Sequence, residues 1–213
     1  MARSPTPPTT PSLDAAQDAG FPIGGEPLAV DLADTIVTVS EPPADLLADR
    51  EACERFWALQ HARLPDGWQV PSLSATRELR DAIRKLLDDT LAKVRLDFRA
   101  LEIVNAVSAS VSTTHEASQT STGLQRVEHW HAADPTALPL AAAARSAIEI
   151  VTDTASVERL RRCANTDCSM LFVNGDSRRQ WCTPNICGNR ARVARHYHRH
   201  RDRDRDRSTE ADL

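Results

Sequence analysis

Apolar residues recur with helical spacing through most of the chain. The clearest stripe runs through residues 76–96, where Leu79, Ile83 and Leu86 belong to a series spaced i, i+3, i+4 and i+7. This spacing places the apolar side chains on one face and predicts an amphipathic helix, with Ser74 as its N-cap. Weaker stripes predict further helices over residues 28–39, 44–64, 97–106 and 138–152.

Other stretches alternate apolar and polar residues, which is the pattern of a half-buried strand. Residues 107–111 and 124–130 alternate in this way and predict a β-hairpin whose polar loop spans residues 112–123. Residues 160–163 and 170–174 predict two more short strands, with a helix after them. The predicted fold class is mainly α with a small β-hairpin (α+β), ending in a C-terminal module of β-hairpin-plus-helix type.

Composition divides the chain into four segments. Residues 1–20 are rich in Pro, Ser and Thr and predict a disordered leader. Residues 21–155 carry the helical stripes and form a front domain, residues 159–200 form the C-terminal module, and residues 201–213 form a charged low-complexity tail. Aromatic residues make up only 4% of the 213 residues, so the core should be built mainly from aliphatic side chains.

The sequence shows no pattern of export or membrane insertion. No stretch reaches the ~18 apolar residues that a membrane span requires, and the N-terminus lacks the basic start and apolar run of a secretory signal. We therefore expect a cytoplasmic protein with no membrane partner. In a reducing compartment, clustered cysteines indicate metal binding more often than disulfides.

Four of the five cysteines lie in one window, in two pairs with matching spacing. Cys163 and Cys168 are separated by four residues, as are Cys182 and Cys187, and 13 residues lie between the pairs. Two such loops can place four thiolates around one tetrahedral ion, which predicts one structural Zn²⁺ without an open catalytic position. A redox disulfide pair and an iron site are the alternatives.

Charge is unevenly distributed along the chain. Residues 1–158 hold 13 basic and 23 acidic side chains, whereas residues 159–207 hold 13 Arg and five Asp. Such asymmetry indicates a polyanionic partner. Because the basic segment contains the cysteine window, the sequence predicts a positively charged module held together by a metal ion.

A predicted helix over residues 187–200 places Arg192, Arg195 and Arg199 on one face. Arginines in this arrangement can reach DNA phosphates or guanine edges. The alternatives are a solvated face, or pairing of the arginines with the acidic front domain. The candidate nucleic-acid contacts are Arg178, Arg179, Arg190, Arg192, Arg195 and Arg199.

Two stretches resemble known families. The string R-C-A-N-T-D-C-S-M-L-F-V-N at residues 162–174, with Trp181-Cys182 and the run C-G-N-R at 187–190, resembles the CGNR zinc finger. Residues 21–35, with Gly24-Gly25 and L-A-V-D-L-A-D-T, resemble the opening of the ABATE domain that precedes this finger. The resemblance implies a transcription regulator, stress-induced in some relatives, with zinc held by Cys163, Cys168, Cys182 and Cys187 and a finger that binds DNA.

Other reactive residues favour structural roles. Asp31 and Asp34 are spaced i, i+3, which favours a solvated helix face over a carboxylate pair in a ligand pocket. Cys53 lies on an apolar face and is expected to be a buried free thiol. His196, His198 and His200 are expected on the surface. Because no catalytic motif appears, we expect a protein that is not an enzyme.

The leading hypothesis is a zinc-dependent DNA-binding transcription regulator. Its front domain would sense a small-molecule ligand, bind a protein partner or mediate homodimerisation. The alternative is an adaptor that binds protein or RNA through the zinc module.

Overall fold

The computed structural model describes residues 13–21, 25–39, 41–121, 123–175 and 178–189. The helices within these residues are α1 (Leu13–Asp18), α2 (Leu28–Ala33), α3 (Arg50–Leu59), α4 (Leu73–Ala92), α5 (Phe98–Ala109), α6 (Ala137–Thr152) and α7 (Thr154–Arg159), with a 3₁₀ turn at His61–Arg63 and a π-helical turn at Pro184–Gly188. Three antiparallel pairs form the strands: β1 (Ile36–Val37) with β2 (Ala44–Asp45), β3 (Ser112–Thr120) with β4 (Gly123–His131), and β5 (Leu160–Arg162) with β6 (Leu171–Val173). The α+β class is confirmed.

Helix α4 is the centre of the front domain. It packs against α2, α5 and α6, and the predicted stripe of Leu79, Ile83 and Leu86 is buried there. The helix begins earlier than predicted, because the Ser72 hydroxyl accepts the N–H of Ala75 at 3.2 Å. Ser72 is therefore the N-cap, and the prediction of Ser74 was wrong.

The first described residues already belong to the core. The predicted leader extends to residue 20, but the structure has α1 at Leu13–Asp18, with Ala16 fully buried. Phe21 packs edge-on against Phe56 at 5.6 Å between ring centroids. Residues 13–20, predicted as disordered, thus contain a short helix that adds Ala16 to the core, and residues 1–12 lie outside the described part.

Two predicted helices are shorter than their apolar stripes. The stripe over residues 28–39 is helical only to Ala33, because Ile36–Val37 pairs with Ala44–Asp45 as strands β1 and β2. The stripe over residues 44–64 begins as β2, and its helix starts at Arg50. There the Asp49 carboxylate accepts the N–H of Ala52 at 2.8 Å and fixes the helix start.

The strands of the long hairpin have different limits from those predicted. Residues 107–109 continue α5, and the polar stretch predicted as a loop contains all of β3, which pairs with β4 from Ser112–His131 to Thr120–Gly123. The Ser/Thr-rich sequence is compatible with a strand because both faces of this ribbon are largely exposed. The ribbon packs chiefly against itself.

Helices α6 and α7 lead directly into the β5–β6 hairpin. Helix α6 confirms the helix predicted over residues 138–152, and Ala144, Ala147 and Ile150 are buried in the core that it forms with α4 and α5. The two short strands also lie where the sequence predicts them. No helix among the described residues has the length and apolar character needed to cross a membrane.

The cap of α4 gives a direct test of the helix start. Ser72→Ala removes the acceptor for the Ala75 N–H, so we expect the free energy of unfolding to fall by about 1 kcal/mol. Ser74→Ala removes only an exposed hydroxyl contact and should change it by less than about 0.5 kcal/mol. Urea denaturation of both variants checks this, and equal effects would contradict the cap assignment.

Candidate metal centre and its anchoring

The β5–β6 hairpin positions the first cysteine pair. Cys163 follows β5, and its N–H donates to the Met170 carbonyl at 2.9 Å, so the ladder extends one step beyond the strands. The Cys168 N–H donates to the Asn165 carbonyl at 2.9 Å, and the Asp167 N–H donates to the Asn165 side chain at 3.2 Å. This tight turn brings both sulfurs to the same end of the hairpin.

The second pair is held by a turn around Thr183. The N–H groups of Cys187 and Gly188 donate to the Thr183 carbonyl at 3.2 and 2.9 Å, and the Ile186 N–H donates to the Thr183 hydroxyl at 3.2 Å. The Ala164 N–H donates to the Gln180 carbonyl at 2.9 Å and joins this segment to the first loop. The two cysteine pairs therefore face each other.

The four sulfurs form a compact, buried cluster. Their Sγ atoms all lie within 4.8 Å of one another, and those of Cys168 and Cys182 are 3.9 Å apart. A tetrahedral tetrathiolate site with metal–sulfur bonds of about 2.3 Å has sulfur–sulfur edges of about 3.8 Å, whereas a disulfide requires about 2.05 Å. The spacing fits four ligands around one ion.

Hydrogen bonds to sulfur support the same arrangement. The Cys182 N–H donates to the Cys163 sulfur and the Asn165 amide donates to the Cys187 sulfur, both at 3.5 Å. A hydrogen bond from Cys182 lowers the pKa of Cys168 to about 6, while burial raises the pKa of Cys187 to about 11. A bound divalent cation would favour the thiolate form of all four cysteines.

Two buried carboxylates of the front domain anchor the module. Asp34, 6% exposed, accepts the N–H of Leu171 with both oxygens, at 3.0 and 2.9 Å. Glu26 accepts the N–H of Val173 at 2.8 Å. Because Leu171 and Val173 alternate along β6, the two acids take the N–H groups on the edge of β6 opposite β5. Front-domain side chains thus substitute for a third strand.

Arginines balance these acids. Arg84 lies 3.3 Å from Asp34 and also donates to the carbonyl of Ser169. Arg179 lies 2.7 Å from Glu26, donates to the carbonyls of Trp181 and Cys182, and stacks over the Phe172 ring. Each guanidinium therefore joins a front-domain acid to the backbone of the module.

Further contacts make the module continuous with the front domain. The Thr38 hydroxyl donates to the Asp167 carbonyl at 2.6 Å and accepts the Ser169 N–H at 2.9 Å. Leu160 and Leu171 are buried in the main hydrophobic core, not in the small cluster around the sulfurs. The four-sulfur cluster thus lies at one end of a folded unit whose core is in the front domain.

The expectation of a solvated face for Asp31 and Asp34 was wrong. Asp31, 1% exposed, accepts the Glu26 N–H at 3.2 Å and is paired with Arg63. Burial raises the pKa of Asp31 to about 7 against the opposing effect of Arg63, and burial also raises that of Asp34 against Arg84. The missed signal was the α2 sequence L-A-V-D-L-A, which has no polar face of its own.

The remaining candidates have separate positions. Cys53 is buried as predicted, 3.5 Å from the Thr76 hydroxyl, and burial raises its pKa. Arg178 is exposed, whereas Arg179 is engaged within the protein, a geometry that does not support its predicted contact with DNA. The following candidates lie outside the described residues: Arg190, Arg192, Arg195, Arg199, His196, His198 and His200.

Fold and site together define a helical domain that carries a four-cysteine metal-binding module. The ABATE family profile, described as "Putative stress-induced transcription regulator", matches residues 26–154, and the CGNR zinc finger profile matches residues 159–200. The chain belongs to the ABATE family and carries a CGNR zinc finger. Comparison with curated proteins gives no significant match.

The role of Asp34 can be tested by substitution. Asp34→Ala leaves the Leu171 N–H and Arg84 without their buried acceptor, so we expect a loss of about 3–5 kcal/mol in the free energy of unfolding. Asp34→Asn keeps an oxygen acceptor for Leu171 and avoids burying a charge, so it should cost at least about 1 kcal/mol less. Urea denaturation of the metal-loaded chain measures both changes.

Asp66→Ala is the matched control because Asp66 is exposed. Its free energy of unfolding should stay within about 0.5 kcal/mol of the parent chain. If Asp34→Ala were as mild as this control, the anchoring role of Asp34 would be rejected.

Proposed function

We propose that the chain is a zinc-dependent DNA-binding transcription regulator. The observation that carries the proposal is a buried, four-sulfur cluster within the segment of 13 Arg and five Asp at residues 159–207. Zinc would be structural, and the arginines beyond Cys187 would contact DNA. The family's description as a transcription regulator supports this assignment.

Zinc is the ion that the donor set favours. Four thiolates select soft or borderline ions, and a tetrahedral S₄ shell is typical of zinc or iron. Zinc needs no redox partner and forms closed tetrathiolate sites in small modules. Four sulfurs complete its shell and leave no position for a substrate, which supports a non-catalytic role.

The DNA contacts are assigned to arginines of the basic segment. Arg178 is exposed in the stretch between the two cysteine pairs, and Arg190, Arg192, Arg195 and Arg199 follow Cys187 in the sequence. Guanidinium groups bind phosphates bidentately and account for affinity that falls with salt. Arg179 is assigned to docking instead, because it bridges Glu26 and the Cys182 carbonyl.

The front domain is suited to regulating the module. Glu26 and Asp34 bind the β6 backbone directly, so a ligand or partner that moves α2 would also move the metal hairpin. We propose that this cytoplasmic domain transmits ligand binding or association to the finger.

Zinc content tests the first part of the proposal. Purified full-length protein should contain about one equivalent of zinc per chain. Cys187→Ser removes one of the four ligands and should cut zinc affinity by more than about tenfold. Elemental analysis and competition with a chromogenic chelator measure both quantities.

Cys53→Ala is the matched control, since Cys53 is a buried thiol outside the cluster. It should retain one equivalent of zinc. An iron content of one equivalent, a disulfide within the cluster, or equal zinc loss in both variants would contradict the assignment.

Salt dependence tests DNA binding. Affinity for a mixed-sequence duplex should fall with salt, because bound arginines release counterions. The variant Arg192→Ala/Arg195→Ala/Arg199→Ala should reduce the slope of log K against log salt by about 2.7 if all three contact phosphates. Fluorescence anisotropy between about 50 and 200 mM salt measures it.

The control replaces three exposed front-domain arginines, Arg50, Arg55 and Arg99, with Ala. It should leave the slope unchanged. No duplex binding at the lowest salt, or a tighter complex with single-stranded RNA or a protein partner, would favour the adaptor function over DNA regulation.

A further inference from the structure

The β3–β4 ribbon is a long hairpin that contacts the rest of the molecule mainly at its base, where Trp130 packs beside Arg145 and Leu138. Its nine residue pairs run from Ser112–His131 to Thr120–Gly123, and no third strand joins it in the described part of the chain. Two-stranded hairpins of this kind are marginally stable in water. Both outer edges also expose backbone groups that another strand could pair with.

Side-chain chemistry distinguishes the two edges. The β3 residues facing the same side as Trp130 are Thr113, His115, Ala117 and Gln119. They include no pair of opposite formal charges. Strand β4 carries on that face the series Leu124, Arg126, Glu128 and Trp130, which places two opposite charges between two large apolar residues.

Within one chain, this β4 series keeps exposed apolar surface and a charge without an ion-pair partner among the described residues. Leu124 is 76% exposed, the most exposed large hydrophobic residue among those described. Arg126 is exposed and has no carboxylate within ion-pair distance in the described structure. Glu128 accepts the Trp130 N–H at 3.1 Å and lies 3.5 Å from His115, and it remains 44% exposed.

We propose that two copies of the chain associate through their β4 strands, antiparallel, about a two-fold axis at Val127. This register places Arg126 opposite the Glu128 of the second copy, and Glu128 opposite its Arg126. It also places Leu124 opposite the second copy's Trp130 at both ends. Both charge pairs and both apolar pairs follow from a single symmetry operation.

Backbone geometry is consistent with this register. Thr120 and Gly123 close a two-residue connection, so they form a hydrogen-bonded pair, and alternate β4 residues from Gly123 bond to β3. The N–H and C=O groups of Leu124, Arg126, Glu128 and Trp130 then face outward. Across the proposed axis, Leu124 of one copy is opposite Trp130 of the other, and Arg126 is opposite Glu128. Each of these pairs can therefore exchange two backbone hydrogen bonds.

Neighbouring registers are disfavoured by charge. Moving the axis from Val127 to residue 126 places Arg126 opposite Arg126. Moving it to residue 128 places Glu128 opposite Glu128. Like charges directly opposite destabilise a strand pair. The partner that fits this edge is therefore a second copy of the chain, and the product is a four-stranded sheet with β4 strands at its centre.

Charge reversal tests the interface. Arg126→Glu or Glu128→Arg alone places like charges opposite each other twice, so each should raise the dimer dissociation constant by about tenfold or more. The double variant R126E/E128R restores opposite charges and should recover dimerisation. An equimolar mixture of the two single variants should form a heterodimer. Analytical ultracentrifugation of the full zinc-loaded chain measures all four.

A cross-link provides an independent readout. Val127→Cys places one thiol from each copy at the axis, within the Cα separation that a disulfide permits. Mild oxidation should give a covalent dimer, whereas Ala117→Cys on the β3 edge should not. Gln119→Glu on the same edge is the charge control and should leave association unchanged.

Circular dichroism and zinc content confirm that each variant is folded, so a loss of association can be attributed to the edge. A monomeric parent chain at about 100 μM, a dimer unaffected by either single reversal, or a double variant that stays dissociated would each overturn the proposal. None of these outcomes depends on DNA binding, so this test is separate from that of the proposed function.

Discussion

The position of the C-terminal module against the front domain depends on two carboxylates that accept backbone N–H groups from strand β6. A two-stranded hairpin buried on one edge leaves donors that must find acceptors, because an unpaired buried N–H costs about 1–3 kcal/mol. Asp34 and Glu26 supply these acceptors at 2.8–3.0 Å. The module is therefore held at a fixed register against the front domain, and its sulfurs lie at a defined distance from α2.

A metal ion and the docking contacts would stabilise different parts of the module. An ion bound by the four sulfurs would close the loops at one end of the hairpin, while Leu160 and Leu171 extend the front-domain core into the other end. Arg84 connects these regions, because it contacts both Asp34 and the Ser169 carbonyl next to Cys168. Arg84 therefore joins the C-terminal end of α2 to the loop that carries Cys168 through direct contacts.

Local patterns in the sequence predicted the features that depend on neighbouring residues. The cysteine spacing predicted the four-sulfur cluster, and the stripe containing Leu79, Ile83 and Leu86 predicted α4. The anchoring role of Asp34 could not be predicted from local patterns, because its partner Leu171 is 137 residues away. The inward position of Arg179 depends in the same way on distant Glu26. Strand limits in the ribbon were missed because Ser and Thr fit loops and exposed strands equally well.

Amide hydrogen exchange at Leu171 and Val173 tests the docking most directly. If buried carboxylates hold β6 in the metal-loaded full-length chain, both amides should exchange as slowly as those of Ile83 and Leu86 in the centre of α4. Exchange at the rate of an unstructured peptide, while the α4 amides stay protected, would show that the module is not anchored and would contradict the account.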